Sequence, residues 1–229
     1  CSSDLSMNIE PIVITGVGRR IGLHLARTFL DRNVPVIGTY RTGRNSLSRL
    51  REAGAELYRC DLTDDAQIER FTEQVTERHG SLRAIIHNAS DWLPEGRGLS
   101  PSLTMQRMMQ VHVNAPYQIN LALAHLLKAS VEQMADIIHI GDYVSGRGST
   151  KHIAYAASKA AQDNLTLSFA TRLAPKVKVN SIAPALILFN EGDTTAYRRK
   201  VINKSLLQRE AGLAEFQLNV DYQIGRAHV

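Results

Sequence analysis

Tyr155 and Lys159 stand four residues apart in Tyr155-Ala156-Ala157-Ser158-Lys159, which puts a phenol and an ammonium on one face of a helix. A cation beside a phenol favours the phenolate and draws its pKa down from a reference near ~10. Such a pair can hand a proton to a bound substrate, although taken alone the spacing also recurs by chance on helix surfaces. A second constellation lies near the start of the chain, where Thr15-Gly16-Val17-Gly18-Arg19-Arg20-Ile21-Gly22 follows a short apolar run and precedes a helical pattern. Glycines between a strand and a helix let the backbone approach a pyrophosphate, and the helix N-terminus offers it unpaired N–H groups. Tyr40-Arg41-Thr42 ends the second strand-like run, where an NAD-binding fold places a carboxylate on the ribose hydroxyls. Arg41, with Arg44 close by, would pair with a 2′-phosphate instead, so NADPH is the expected cofactor. Asp61, past the third strand, either accepts from the adenine amino group or caps a helix.

The elements that must position these residues alternate regularly. Strands are expected at 12–15, 34–40, 55–60, 82–87, 137–141 and 177–182. Helices are expected at 20–30, 46–52, 64–79, 101–128 and 153–173. Strands joined by crossover helices mean an α/β fold with a Rossmann-type, doubly wound parallel sheet, here as a single domain. Open parallel sheets bind ligands beyond the carboxyl ends of their strands, where the glycine turn and the Tyr155 helix begin. Residues 1–6 read as a polar, non-native stub and 224–229 as a non-native tail. The domain is therefore expected to span 7–223 and to stop before its last strand.

The chain resembles the short-chain dehydrogenase/reductase family over about residues 12–222, through the Thr15–Gly22 turn, Asp61-Leu62, Asn88-Ala89, Asn114, and Tyr155 with Lys159. The family usually has a serine thirteen residues before the tyrosine. Here that position is Asp142, as in the pteridine reductases of the family, which also carry counterparts of Arg20, Ser90 and Trp92. The resemblance implies an NADPH-dependent reductase of a 7,8-dihydropterin, with hydride going to C6 and a proton to N5. It places Asp142, Tyr155, Lys159 and Asn114 in catalysis, Asn114 by opening its helix for a water chain to Lys159. The cofactor set is Gly16, Gly18, Arg19, Arg20, Ile21, Gly22, Tyr40, Arg41, Thr42, Asp61, Leu62, Asn88, Ala89, Ser90, Tyr155, Lys159 and Pro184. The pterin set is Arg20, Ser90, Trp92, Asp142 and Tyr155, with the C6 side chain pointing into residues 189–201. A flat heteroaromatic suits this set: Trp92 offers a stacking face and Arg20 a planar donor. Asp142 would be a proton donor if burial kept it protonated.

Two rival functions are a ketone or acyl carbonyl reductase on the same fold and a non-catalytic NADPH-binding protein. The first is disfavoured by the Asp142, Arg20, Ser90 and Trp92 set, the second by the complete Tyr155, Lys159 and Asp142 set. The family implies a homotetramer through the 101–128 and 153–173 helices.

The 229 residues carry 27 Lys+Arg against 22 Asp+Glu, spread along the chain rather than gathered into a stripe, which argues against a nucleic-acid binder. Two cysteines, Cys1 and Cys60, make no disulfide framework and point to a reducing, cytoplasmic setting. No apolar run reaches membrane-span length, no metal site is expected among the scattered histidines, and His87 is expected near the cofactor.

Overall fold

Ile12–Ile14 (β1) is three β-branched residues buried on both faces, as a central parallel strand must be. Five more strands join it: β2 (Val36–Tyr40), β3 (Glu56–Arg59), β4 (Ala84–His87), β5 (Ala135–Ile140) and β6 (Val177–Ile182). All pair in parallel, in the order β3-β2-β1-β4-β5-β6, so this is the doubly wound α/β sheet expected from the sequence. The coordinates are a computed structural model and describe residues 9–96 and 98–226. Residues 1–6, expected to be a stub, lie outside the described residues, as do 227–229 of the expected tail. Ile224 packs into the core at 9% exposure.

Successive strand residues face opposite sides, and each side is covered by helices. Val13, Ile37, Ile85, Ile137 and Val179 pack against Phe71 of α3 (Asp65–Arg78), Ile119 and Leu123 of α5 (Ala115–Lys128) and Phe169 of α6 (Ile153–Leu173). Ile12, Ile14, Val36 and Ile138 pack on the other side. Their partners are Leu25 and Phe29 of α1 (Arg20–Asp31), Leu50 of α2 (Asn45–Glu52) and Phe216 of α8 (Gly212–Asp221). Fully burying side chains of this size contributes about 1.5–3 kcal/mol each, which fixes the sheet on which the loops are carried. The chain reverses direction along the sheet between β1 and β4, so the loops after these strands open a crevice at the carboxyl edge.

The expected helix 101–128 is broken. α4 (Pro101–Met109) and α5 are joined by a wider π-type turn at Gln110–Asn114, in which the Ala115 N–H reaches back to the Gln110 carbonyl. Pro116 lacks the N–H that would have bonded the His112 carbonyl, and Gln162 Nε2 on α6 donates to that carbonyl instead at 3.0 Å. α7 (Thr195–Lys204) and α8 were not expected from the sequence. No helix among the described residues is long and apolar enough to cross a membrane.

Candidate active site

The turn after β1 is built for close approach. A Cβ on Gly22 would sit 2.2 Å from the Gly16 carbonyl oxygen and 2.5 Å from Asn88 Nδ2, and one on Gly16 would sit 3.0 Å from Ala89 Cα. Asn88 Nδ2 donates to the carbonyls of Thr15 (3.0 Å) and Gly16 (3.2 Å), so Asn88 and Ala89 lock the turn to the end of β4. α1 has no side-chain cap and no acidic residue in its first turn, whereas α3, α4 and α7 are capped by Asp64, Ser100 and Thr194. Its first N–H groups thus remain available to an anion, and the residues fit a dinucleotide pyrophosphate. Gly18 lies beside Arg44, and its carbonyl accepts from Ser46 at 2.7 Å, which draws the start of α2 against the turn.

Arg20 holds a left-handed backbone, φ 52°, at a place where many dinucleotide folds have glycine. Its guanidinium donates to Asn190 Oδ1 and, at 3.2 Å, to the Leu188 carbonyl, tying the turn to the loop after β6. An L-residue in this region costs about 1–2 kcal/mol. Arg20→Gly is therefore expected to leave thermal stability equal or higher in calorimetry. Loss of the guanidinium is expected to raise the substrate KM about tenfold, as for one charge-assisted hydrogen bond.

Arg41 donates to both carboxylate oxygens of Asp91, at 3.1 and 3.2 Å, and Arg107 approaches the same carboxylate at 2.7 Å. Burial alone would raise the Asp91 carboxyl, but hydrogen bonds from Arg41 and Arg107 hold it below the usual range. Tyr40 supports the neighbouring Arg51, whose Nη2 donates to the phenol at 3.1 Å, and Thr42 is exposed at the strand end. Asp61 accepts from Thr63, and the α3 cap is Asp64. Leu62 is buried beneath this loop, and the Pro184 carbonyl accepts from Tyr143 N at 3.3 Å.

Across the crevice, the Tyr155 hydroxyl donates to Asp142 Oδ2 at 2.8 Å, while Asp142 Oδ1 accepts from Val144 N at 3.0 Å. Tyr155 is 7% exposed and Lys159 2%. Lys159 Nζ donates to the Ile140 carbonyl at 2.6 Å and to Gln162 Oε1 at 3.2 Å. Burial draws the ammonium down to about 8 despite the Asp142 and Asp163 charges. Burial, then the Asp142 charge and hydrogen bond, push the Tyr155 phenol well above its ordinary value. Trp92 is 63% exposed at the mouth, edge-on to His152 with ring centroids 4.0 Å apart. Glu95 accepts from Ala154 N at 3.0 Å and so caps the helix that carries Tyr155.

This arrangement of glycine turn, helix-borne tyrosine and buried lysine agrees with what the comparisons find. The "short chain dehydrogenase" family model matches residues 10–197. The chain belongs to the short chain dehydrogenase family. A family member from Klebsiella pneumoniae named dihydromonapterin reductase is 55% identical, over 93% of this chain and 89% of the relative. One of the same name from Escherichia coli is 51% identical, over 93% and 88%. Among solved structures, FolM alternative dihydrofolate reductase 1 from Brucella canis, complexed with NADP, has a TM-score of 0.82 at 25% identity, covering 96% of this chain and 88% of that one. L-sorbose reductase from Gluconobacter frateurii has a TM-score of 0.84 at 22% identity, covering 95% and 90%, and speaks for the fold alone.

Several sequence expectations are corrected by the geometry. The expected lowering of the tyrosine pKa by Lys159 is not found, because its ammonium is turned to Ile140 and Gln162, 5.9 Å from the phenol ring centre, while burial and then Asp142 raise it. Asp142 is an acceptor through both oxygens rather than a donor. Asn114 lies in the opened turn, but its side chain donates to Gln110 at 2.6 Å and faces Asp65, away from Lys159. Gln162 and His112 occupy the place expected for it. His87 is fully buried, stacked on His139 with centroids 5.0 Å apart and bonded to Asn120, and its ring does not line the crevice. Glu95, His112 and Gln162 were missed. Their signal was weak: a His and a Gln on otherwise apolar helix faces, and a Glu in a loop.

Proposed function

We propose that this chain catalyses the NADPH-dependent reduction of a 7,8-dihydropterin, such as dihydromonapterin, to the tetrahydropterin. The observation that carries this reading is the Tyr155–Asp142 pair, in which the buried phenol donates to a carboxylate 2.8 Å away. Reduction of a ketone develops an oxyanion, which a carboxylate beside the donor opposes. Reduction of a C=N bond adds a proton to nitrogen, and a carboxylate beside the proton donor does not oppose it. The carboxylate thus favours a pterin over the carbonyl substrates of the rival reading.

The chemistry the cofactor supplies is a hydride, delivered to C6. Arg41 just past β2, Arg44 at the start of α2, the Gly16–Gly22 turn and the uncapped start of α1 would hold its charged groups, with Asp61, Leu62, Asn88, Ala89 and Pro184 shaping the walls. Tyr155 keeps its proton through neutral pH and gives it toward N5, and Asp142 orients the phenol. Lys159, cationic at neutral pH and pinned by the Ile140 carbonyl and Gln162, would hold the nicotinamide ribose of the cofactor. Trp92 at the mouth offers a stacking face, and Arg20 with Ser90 holds the ring edge. The C6 substituent lies toward residues 189–201, where Arg198 covers the Phe189 ring at 5.2 Å.

Oxidation of NADPH with dihydromonapterin, dihydrofolate, dihydrobiopterin and a β-keto ester tests this, with Asp142→Ser in parallel. Pterin turnover that collapses in the variant is expected. Turnover of the keto ester alone would return the chain to the carbonyl reductases. The lowered Lys159 pKa adds a pH prediction: a base drawn down to about 8 is cationic below that pH and neutral above it. The kcat/KM for NADPH, which reports the free enzyme, is therefore level at neutral pH and falls as pH rises through about 8. A level profile to pH ~9.5 would contradict this assignment of Lys159, whose unperturbed value is near ~10.4.

The exposed face of α4, α5 and α6 carries Leu103, Tyr117 and Leu167, at 51%, 46% and 67% exposure, and an apolar groove lined by Leu103, Val113, Tyr117 and Leu165. This supports assembly through that face into a homotetramer, which light scattering of Tyr117→Glu against the parent would test. The free, buried Cys60 and the absence of a charged stripe support a cytoplasmic protein that does not bind nucleic acid.

A further inference from the structure

A buried histidine adjoins the reacting tyrosine, and the mechanism above does not use it. His112 is 0% exposed, and its ring stands edge-to-face on the Tyr155 ring, 5.3 Å between centroids at 86°. Both ring nitrogens are hydrogen-bonded: Nδ1 to Ser158 Oγ at 2.8 Å and Nε2 to Ser90 Oγ at 2.8 Å. The directions of these bonds can be worked out. Ser158 Oγ donates its single proton to the Tyr155 carbonyl, one turn back on α6, at 2.7 Å. It can therefore only accept from His112, so Nδ1 carries the ring proton. Burial, followed by the nearby Lys159 charge, drives the His112 pKa well below its ordinary value, so the ring is neutral and Nε2 is an acceptor. The Ser90 hydroxyl must then donate to Nε2. Its other acceptors are the Asp91 carbonyl, at 3.3 Å and less favourable, and the Tyr155 hydroxyl beside it.

From this chain of bonds we infer that His112 is a specificity-determining positioning residue. By taking the Ser90 proton, it leaves Ser90 to offer only lone pairs at the mouth of the site, which selects a ligand whose ring edge donates hydrogen bonds there. The inference rests on the dihydropterin reading, since an aminopyrimidine edge, with its exocyclic amine and ring N–H, is such a donor edge. A dioxopyrimidine edge of the same shape presents a carbonyl in place of the amine. Against that carbonyl Ser90 has no proton to give while His112 holds it, and two acceptors face each other. In the absence of the imidazole acceptor, the Ser90 hydroxyl is free to rotate and to serve either edge. His112 acts wholly through Ser90 and does not touch the reacting atoms.

The test is calorimetric titration of two ligands into the protein saturated with NADP+: pterin (2-amino-4-oxopteridine) and lumazine, the same ring with a carbonyl in place of the amine. The parent is expected to prefer pterin. His112→Phe removes the acceptor and is expected to lower the pterin-to-lumazine affinity ratio about tenfold, the worth of one well-made hydrogen bond. His112→Gln, whose amide oxygen can again accept from Ser90, is expected to keep the ratio within about threefold of the parent. Ser90→Ala is expected to lower the ratio as His112→Phe does, and the double variant to lower it no further, because one bond is being removed twice. The inference is overturned if the ratio survives in His112→Phe, if Gln and Phe lower it equally, or if only the NADP+ affinity moves. Should His112→Phe fail to fold, His112→Gln and Ser90→Ala still decide the matter. If the parent reduces dihydropterin but the ratio is insensitive to these changes, only the His112 inference falls. If the parent neither binds pterin nor reduces dihydropterin, the functional reading falls with it.

Discussion

Replacing Tyr155 by phenylalanine is expected to lower kcat/KM for the dihydropterin by about 10²–10⁴, the usual worth of a positioned general acid. The ring itself stays in place, because it is 7% exposed, edge-on to His112 and packed with Met108 and Ala154. Only the hydroxyl that donates to Asp142 is removed. NADP+ affinity and thermal stability should therefore change little. That separates the chemical step from binding in a way that truncation to alanine, which opens a cavity under α4, would not. Stopped-flow NADPH oxidation with a matched NADP+ titration checks it. A loss of less than about threefold would mean that the proton comes from elsewhere, since a positioned general acid contributes far more.

The second large effect is on cofactor choice. Arg41→Ala is expected to raise the KM for NADPH about 10- to 100-fold, as for loss of hydrogen bonds from a charged partner, and to leave the KM for NADH nearly unchanged. The exposure of the side chain moderates the effect, and salt should weaken NADPH binding in the parent more than in the variant. The Arg41–Asp91 pair adds a consequence: the arginine proposed to pair with the 2′-phosphate is already oriented by Asp91, which Arg107 also holds. Steady-state kinetics with both nucleotides at two ionic strengths decide it. Equal losses for NADPH and NADH would remove Arg41 from the 2′-phosphate site.

Much of this fold is legible in the sequence because its strongest signals are local. β-branched runs bounded by turns mark the strands, and each of the six lies where the pattern puts it, within two residues at its ends. α7 was not legible because none of its residues is buried, so no apolar stripe exists to read. α8 buries only Phe216 and Val220 among its apolar residues and starts at Gly212, too brief a pattern to stand out. The break before α5 was not legible in the spacing, because Pro116 at the start of a helix is ordinary, and only the family resemblance, through Asn114, implied an opened helix there. Its consequence, a freed His112 carbonyl taken by Gln162, depends on a partner 50 residues away.

The site follows the same division. Residues in local motifs, such as Gly16, Gly22, Tyr155 and Lys159, lie where spacing puts them. The groups that set their protonation depend on long-range contacts: Asp142 to Tyr155, Gln162 to Lys159 and Ser90 to His112. Spacing alone suggested that Lys159 would lower the tyrosine pKa, whereas burial and Asp142 raise it. A raised pKa keeps the phenol protonated through neutral pH, the form a proton donor must hold, while making it a weaker acid.

The central claim is that hydride passes from NADPH to C6 of a dihydropterin in this crevice. It is tested most directly by turnover of dihydromonapterin with NADPH deuterated at the transferable C4 position, followed by NMR of the tetrahydropterin. One deuterium at C6, with N5 protonated from solvent, is the predicted result. Deuterium at C7, or a product that carries none, would contradict the account.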